Sequence, residues 1–119
     1  ETRAARNNPF KDVLSARLRM VFGSDCMPFS PMYGVISAVN APYESQRITA
    51  EEAVAAYTRE AAYASFEERS KGTITEGKQA DLVIMSADPF ADAVSLRSAT
   101  VLKTVLGGEI VYERTKIGA

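Results

Sequence analysis

The chain has 119 residues, 46% hydrophobic and 24% charged, a balance that supports one compact unit with a sizeable core. Fourteen basic residues face fifteen acidic ones, and a net charge of −1 argues against nucleic acid, an anionic membrane surface or a strongly charged substrate as partner. The apolar stretches fall far short of the roughly 20 residues that span a bilayer. The single cysteine, Cys26, has no partner for a disulfide within the chain, so a reducing, cytoplasmic setting is expected.

Residues 1–7 are polar and unpatterned. Asn8-Pro9 reads as an N-cap followed by proline at the first helical position. Phe10, Val13, Leu14 and Leu18 then fall at helical spacing and predict a short amphipathic helix over about residues 9–17. Arg19 to Gly23 reads as a short buried strand, and it runs into the small-residue turn Gly23-Ser24-Asp25. Residues 25–32, punctuated by Pro28 and Pro31, predict a loop, and Tyr33 to Asn40 one or two turns of helix stopped by Pro42.

Ile48-Thr49-Ala50-Glu51-Glu52 is a capping box: Thr49 is the N-cap, Glu52 reaches back, and Ile48 is the staple residue. Val54, Tyr57, Ala61 and Ala64 carry a helical stripe from there to about Phe66. Beyond Lys71-Gly72 the pattern turns extended. Gly77 supplies the left-handed residue of a turn, and Asp81 to Met85 is a strand dense in branched side chains. Asp88-Pro89-Phe90 breaks it. Val101 to Leu106 and Glu109 to Tyr112 flank Gly107-Gly108, a two-residue hairpin signal.

Asp25 is the candidate catalytic residue. A carboxylate at the carboxyl end of a short buried strand is how an α/β barrel delivers an acid to its active-site mouth. There it can bind a metal, take a proton from water and return it to a leaving group. The competing reading is that Asp25 caps a turn or the next helix, which spacing alone favours. Cys26 lacks a histidine to activate it and any metal-ligand spacing, so it reads as a buried or partly buried structural thiol. Glu51-Glu52 and Glu67-Glu68 are adjacent on a helix and do not face each other, which makes them capping and surface residues. Tyr57, Tyr63 and Phe66 read as core, and the glycines as turns without phosphate-loop spacing.

The stretches MVFGSDCMP, RITAEEAVAAYTREAAYASFEE, KGTITEGKQADLVIMSADPF and VLKTVLGGEIVYE, in this order, resemble the C-terminal part of a metal-dependent amidohydrolase of the amidohydrolase family 3 branch. The resemblance implies an α/β fold. Residues 1–70 would end a (β/α)8 TIM-like barrel, with its last strand and closing helices, and residues 71–119 would add strands of a small composite β-sandwich. It implies hydrolysis of amide-type, non-peptide C–N bonds in a small-molecule substrate, with a divalent metal, zinc by preference, in the intact enzyme. Asp25 would be the aspartate ending the eighth strand, binding or facing that metal and moving protons.

Two departures stand out. The family's metal-binding histidines have no counterpart in a chain with no histidine at all. Thr58 is followed by Arg59-Glu60 where many relatives carry asparagine. The implied outcome is a chain that is inactive alone, binds no metal by itself, and pairs with upstream barrel sequence or self-associates. A non-catalytic α/β folding or oligomerisation module is the alternative.

Overall fold

Helices come first along the chain and the strands gather at its end. In the computed structural model, which describes residues 7–26 and 28–115, the order is α1 (Phe10–Ser15), α2 (Pro31–Val39), a 3-10 turn (Glu44–Gln46), α3 (Ala50–Tyr57) and α4 (Arg59–Ala64). Then follow β1 (Leu82–Met85), α5 (Ala93–Ser98), β2 (Val101–Leu106) and β3 (Glu109–Glu113). The capping box forms as its residues predict. Thr49 Oγ1 accepts the Glu52 N–H at 3.1 Å, and Glu52 Oε2 accepts the Thr49 N–H at 2.8 Å. Ile48 and Ala53, the two ends of the staple, are both buried in one cluster with Val35 and Ala38 of α2 and Leu96 of α5. Alanine at positions 38 and 53 keeps the facing surfaces of α2 and α3 small.

Four local expectations are corrected by tertiary contacts. The first helix begins later than its Asn-Pro signal suggests. Pro9 is the N-cap with no side-chain bond, and the N–H groups of Lys11 and Asp12 donate to Oε1 of the buried Gln46, at 3.1 and 3.2 Å. A side chain some 35 positions downstream thus satisfies the helix end that Asn8 was expected to cap. Second, the long helix is broken at Thr58, whose φ of −120° and ψ of −87° fall outside the helical region. The Thr58 hydroxyl donates to the Val54 carbonyl at 2.8 Å while its N–H turns to Ala55, so the side chain competes with the backbone ladder.

Third, residues 19–24 alternate between exposed and half-buried, as an extended segment does, but none is buried as the expected strand would be, and residues 18–24 form no ladder with any described residue. Among the described residues their backbone links to other elements both run to helix carbonyls: the Leu18 N–H donates to Val13 of α1 at 3.2 Å and the Phe22 N–H to Ala56 of α3 at 3.1 Å. A strand needs a neighbouring strand to take up its remaining polar groups, and none lies alongside. Fourth, α5 carries no signal that the sequence reading used, and Leu96 makes it part of the core. Asp92 caps it, with Oδ1 accepting the N–H groups of Val94 and Ser95 at 2.8 Å each.

The sheet follows its pattern closely. β1, β2 and β3 pair antiparallel in that order, joined at β2–β3 by Gly107 and Gly108, whose φ values of +58° and +89° suit a hairpin turn of inverted hand. Register shifts at Ile84/Met85 and Thr104/Val105 twist the ladder. Apolar residues sit on both faces: Ile84 and Ile110 on one, Val83, Leu106 and Tyr112 on the other, all exposed. Strands of this composition are usually covered on both sides.

Two close fits set the helical layer. The α4 C-terminus is a Schellman motif: Phe66 N–H reaches Tyr63 O at 3.0 Å and Glu67 N–H reaches Ala62 O at 2.8 Å. Its left-handed position, usually glycine, is Phe66 at φ +60°, and the ring is 91% exposed, not core as its spacing suggested. At Gly34 of α2, an added Cβ would overlap the Tyr57 hydroxyl and lie 2.9 Å from ring carbon Cζ.

Two stability changes are expected, in this chain or in a longer polypeptide containing it. Gly34→Ala should cost about 1–3 kcal/mol by overpacking, and adding Tyr57→Phe should recover part of the loss by removing the overlapping hydroxyl. Phe66→Gly should stabilise by about 1 kcal/mol, since the left-handed position then carries no Cβ. Equilibrium urea unfolding reads both.

Candidate functional site

Asp25 sits where the extended segment ends. The chain turns there through two successive left-handed residues, Asp25 at φ +46° and Cys26 at φ +73°, and both side chains are exposed. Aspartate tolerates this region better than most residues. The next helix is capped by Ser30, whose Oγ accepts the Tyr33 N–H at 3.3 Å. The Asp25 carboxylate accepts no hydrogen bond from any described residue, and the cap of α2 is Ser30, not Asp25. Cys26 is free and exposed, which corrects the expectation of a buried or partly buried thiol; it sits on a left-handed turn.

Aromatic packing fixes the segment that leads to this turn. Phe22 meets the ring of Phe10 at 5.2 Å between centroids and that of Tyr57 at 5.5 Å, both edge to face. A cleft of about 610 Å³ opens beside the turn, lined among others by Phe22, Gly23, Gly34, Tyr43, Gln46 and Tyr57. Asp25 is not among its lining residues.

At the other end of the segment lies a group the sequence reading did not single out. Glu60, with its side chain 14% exposed, receives Arg19 Nη1 at 2.6 Å and Arg59 Nε at 2.8 Å. The Arg19 guanidinium also lies 3.7 Å from the centre of the Tyr63 ring. Burial pushes the Glu60 carboxyl up, but hydrogen bonds from Arg59 and Arg19, with their charges, pull harder and hold it below its ordinary value. Of the adjacent glutamates, Glu51 and Glu52 lie in the first turn of α3 as expected, whereas Glu67 and Glu68 fall beyond the end of α4 and Glu68 turns one carboxylate oxygen inward. Glu52 caps α3 and pairs with Lys11 at 3.2 Å, and Glu67 pairs with Lys71 at 2.8 Å. The only early sign of Glu60 was the Thr58-Arg59-Glu60 departure, since nothing local brings Arg19 to it.

No set of three or more His, Cys, Asp or Glu side chains comes together among the described residues. Asp25 and Cys26 are neighbours in sequence, and no further carboxylate joins them.

The Amidohydrolase family model matches residues 1–112. The chain is 36% identical over 119 residues to YtcJ of Bacillus subtilis (strain 168), a protein designated an amidohydrolase; the match covers 89% of this chain and 22% of that protein. It is 36% identical over 117 residues to the N-substituted formamide deformylase of Arthrobacter pascens, covering 90% of this chain and 22% of the relative. The chain therefore spans about a fifth of the length of these curated relatives. Among solved structures, the amidohydrolase from Thermotoga maritima MSB8 superposes with a TM-score of 0.67 at 24% identity, over 88% of this chain and 26% of that one. That likeness shows a shared fold.

The Glu60 pairing has a pH signature. Its folded pKa is depressed, so its contribution is full above the unfolded glutamate value, about 4.3, and fades as pH falls through the folded one. Glu60→Gln should destabilise by about 1–2 kcal/mol at neutral pH. Thermal unfolding of both proteins against pH should show the gap closing in acid.

Proposed function

The chain belongs to the Amidohydrolase family across residues 1–112, and on that premise we propose that it forms the C-terminal part of an enzyme hydrolysing C–N bonds in a small amide-type substrate. Residues 18–24 would be the last strand of a (β/α)8 barrel, with neighbouring strands contributed by sequence outside this chain. Residues 71–119 would contribute strands to a small β-sandwich completed by the same outside sequence, and residues 1–70 would close the barrel. The open ladder positions of 18–24 and the sheet exposed on both faces support this arrangement.

The observation that carries the proposal is Asp25 itself. It is an exposed carboxylate, with no hydrogen bond from a described residue, on a left-handed turn at the end of that extended segment. Such a group is available to a substrate from the outset. As a water oxygen bonds to the amide carbonyl carbon, the Asp25 carboxylate takes the water proton. It then delivers that proton to the leaving nitrogen as the C–N bond breaks, and ends ionised again.

The family resemblance also implies a divalent metal, zinc by preference. One carboxylate does not hold a metal ion, and no group of ligating side chains among the described residues fits one. Asp25 would supply at most a single ligand to a site built elsewhere. Alone, the chain would be inactive, pairing with the preceding barrel sequence or with itself, in a cytoplasmic setting.

The exposed apolar residues of the sheet favour one other role, a non-catalytic folding or oligomerisation module. It predicts that the isolated chain folds and unfolds cooperatively without any upstream sequence, which thermal unfolding would show.

In a polypeptide carrying amidohydrolase sequence upstream of Glu1, Asp25→Asn should lower kcat/KM for an N-formyl or N-acyl amide by about 10²–10⁴-fold. The melting temperature should hardly move, because Asp25 accepts no hydrogen bond from a described residue. Activity equal to the parent would remove Asp25 from the chemistry.

A further inference from the structure

We propose that Tyr57 is a positioning residue for the loop that carries Asp25, bracing it at both ends. The inference rests on the proton-transfer role given to Asp25 above.

The described residues of the loop, 23–26 and 28–29, make no hydrogen bond to any other described element. The backbone bond seen among them is local, the Ser30 N–H donating to the Pro28 carbonyl at 2.8 Å. What the described residues show holding the loop is therefore the packing at its two ends. Before the loop, Phe22 packs edge to face on the Tyr57 ring at 5.5 Å, inclined at 69°. After it, the chain enters α2, and Gly34 lies so close to the tip of the same ring that a single added Cβ would overlap the hydroxyl. Tyr57 is the last residue of α3, just before the break at Thr58, and its neighbour Ala56 accepts the Phe22 N–H at 3.1 Å. One side chain thus sets the spacing between the segment that enters the loop and the helix that leaves it.

The contact at both ends is made by the ring and its tip. Among the described residues the Tyr57 hydroxyl forms no hydrogen bond, so phenylalanine should serve nearly as well, and an aliphatic side chain should not. Glycine at position 34 is what lets α2 approach this closely. A displacement of about 1 Å in a proton-transferring group costs on the order of 10²-fold in rate, so a slack loop should reduce turnover more than binding.

The test uses the polypeptide with upstream amidohydrolase sequence, an N-formyl amide substrate, steady-state kinetics and amide hydrogen exchange read by mass spectrometry. Tyr57→Leu should lower kcat by roughly tenfold or more, with KM within about threefold. Exchange should quicken across residues 23–30 while α3 stays protected. Tyr57→Phe should remain within about twofold of the parent. If Tyr57→Leu does not fold, Gly34→Ala replaces it: kcat should fall through the displaced ring, and Gly34→Ala/Tyr57→Phe should restore much of it.

Unchanged exchange over residues 23–30 in a folded Tyr57→Leu or Gly34→Ala variant would overturn the bracing role, whatever the kinetics. Unchanged kcat in these variants, beside an inactive Asp25→Asn, would also overturn it and leave the role of Asp25 standing. An active Asp25→Asn would instead remove the chemistry on which the inference rests. A loss that appears only as less folded protein, with kcat per folded molecule intact, would assign Tyr57 a structural role and nothing more.

Discussion

The organisation of the helical half depends on the seating of Phe22 between Phe10 and Tyr57. Residues 18–24 are extended, and ordering extended backbone costs about 1–2 kcal/mol per residue. A sheet would offset that cost with ladder hydrogen bonds, whereas among the described residues this segment has two backbone bonds, from Leu18 and Phe22, to helix carbonyls. The two edge-to-face contacts, each worth about 0.5–1.5 kcal/mol beyond the area they bury, hold the middle of the segment instead. The Arg19–Glu60 pair holds its start. These contacts put the turn at Asp25 in a defined place, and α1, α3 and α4 are arranged to supply them.

The second half is tied to the first at a few points. Leu96 of α5 enters the helical core, and Arg97 reaches Asn40 of α2 at 3.3 Å. Lys78 Nζ donates to the Glu68 and Lys71 carbonyls, pinning the start of the extended region to the residues after α4. The sheet itself is coherent, with the Ser86–Thr100 bonds closing the excursion through α5 and Asp81 Oδ1 accepting the Gly107 N–H at 2.8 Å. Its faces nonetheless remain open, which accords with relatives about five times as long as this chain.

Legibility tracked the range of the interaction. The Thr49–Glu52 box, the Gly107-Gly108 turn and the left-handed Gly77 were all readable, because each is decided within a few residues by backbone geometry or a local hydrogen bond. Gln46 capping α1, the break at Thr58 and the buried Leu96 were not, because the partner of each lies on another element or competes with the local ladder. Tyr63 and Phe66 show how a helical stripe can mislead. Their spacing is helical, but Tyr63 lies beneath Arg19 on the surface, and Phe66 falls past the end of α4 at the left-handed position, with its ring in solvent. At the candidate site, the position of Asp25 on a turn was legible; its exposure, and the capping of α2 by Ser30, were not.

By itself, the sequence determined the principal helix start, the three C-terminal strands with their hairpin, and the family, since these reside in short patterns and in the succession of motifs along the chain. Only the tertiary structure decided that the segment before Asp25 stands without a ladder, that Glu60 joins two arginines, and that Tyr57 touches both flanks of the loop. The physical reason is distance along the chain. Local patterns are set by neighbours a few residues apart, whereas the packing that places Asp25 joins groups some 23 to 41 residues apart, from Gly34 and Tyr57 to Arg19 and Glu60.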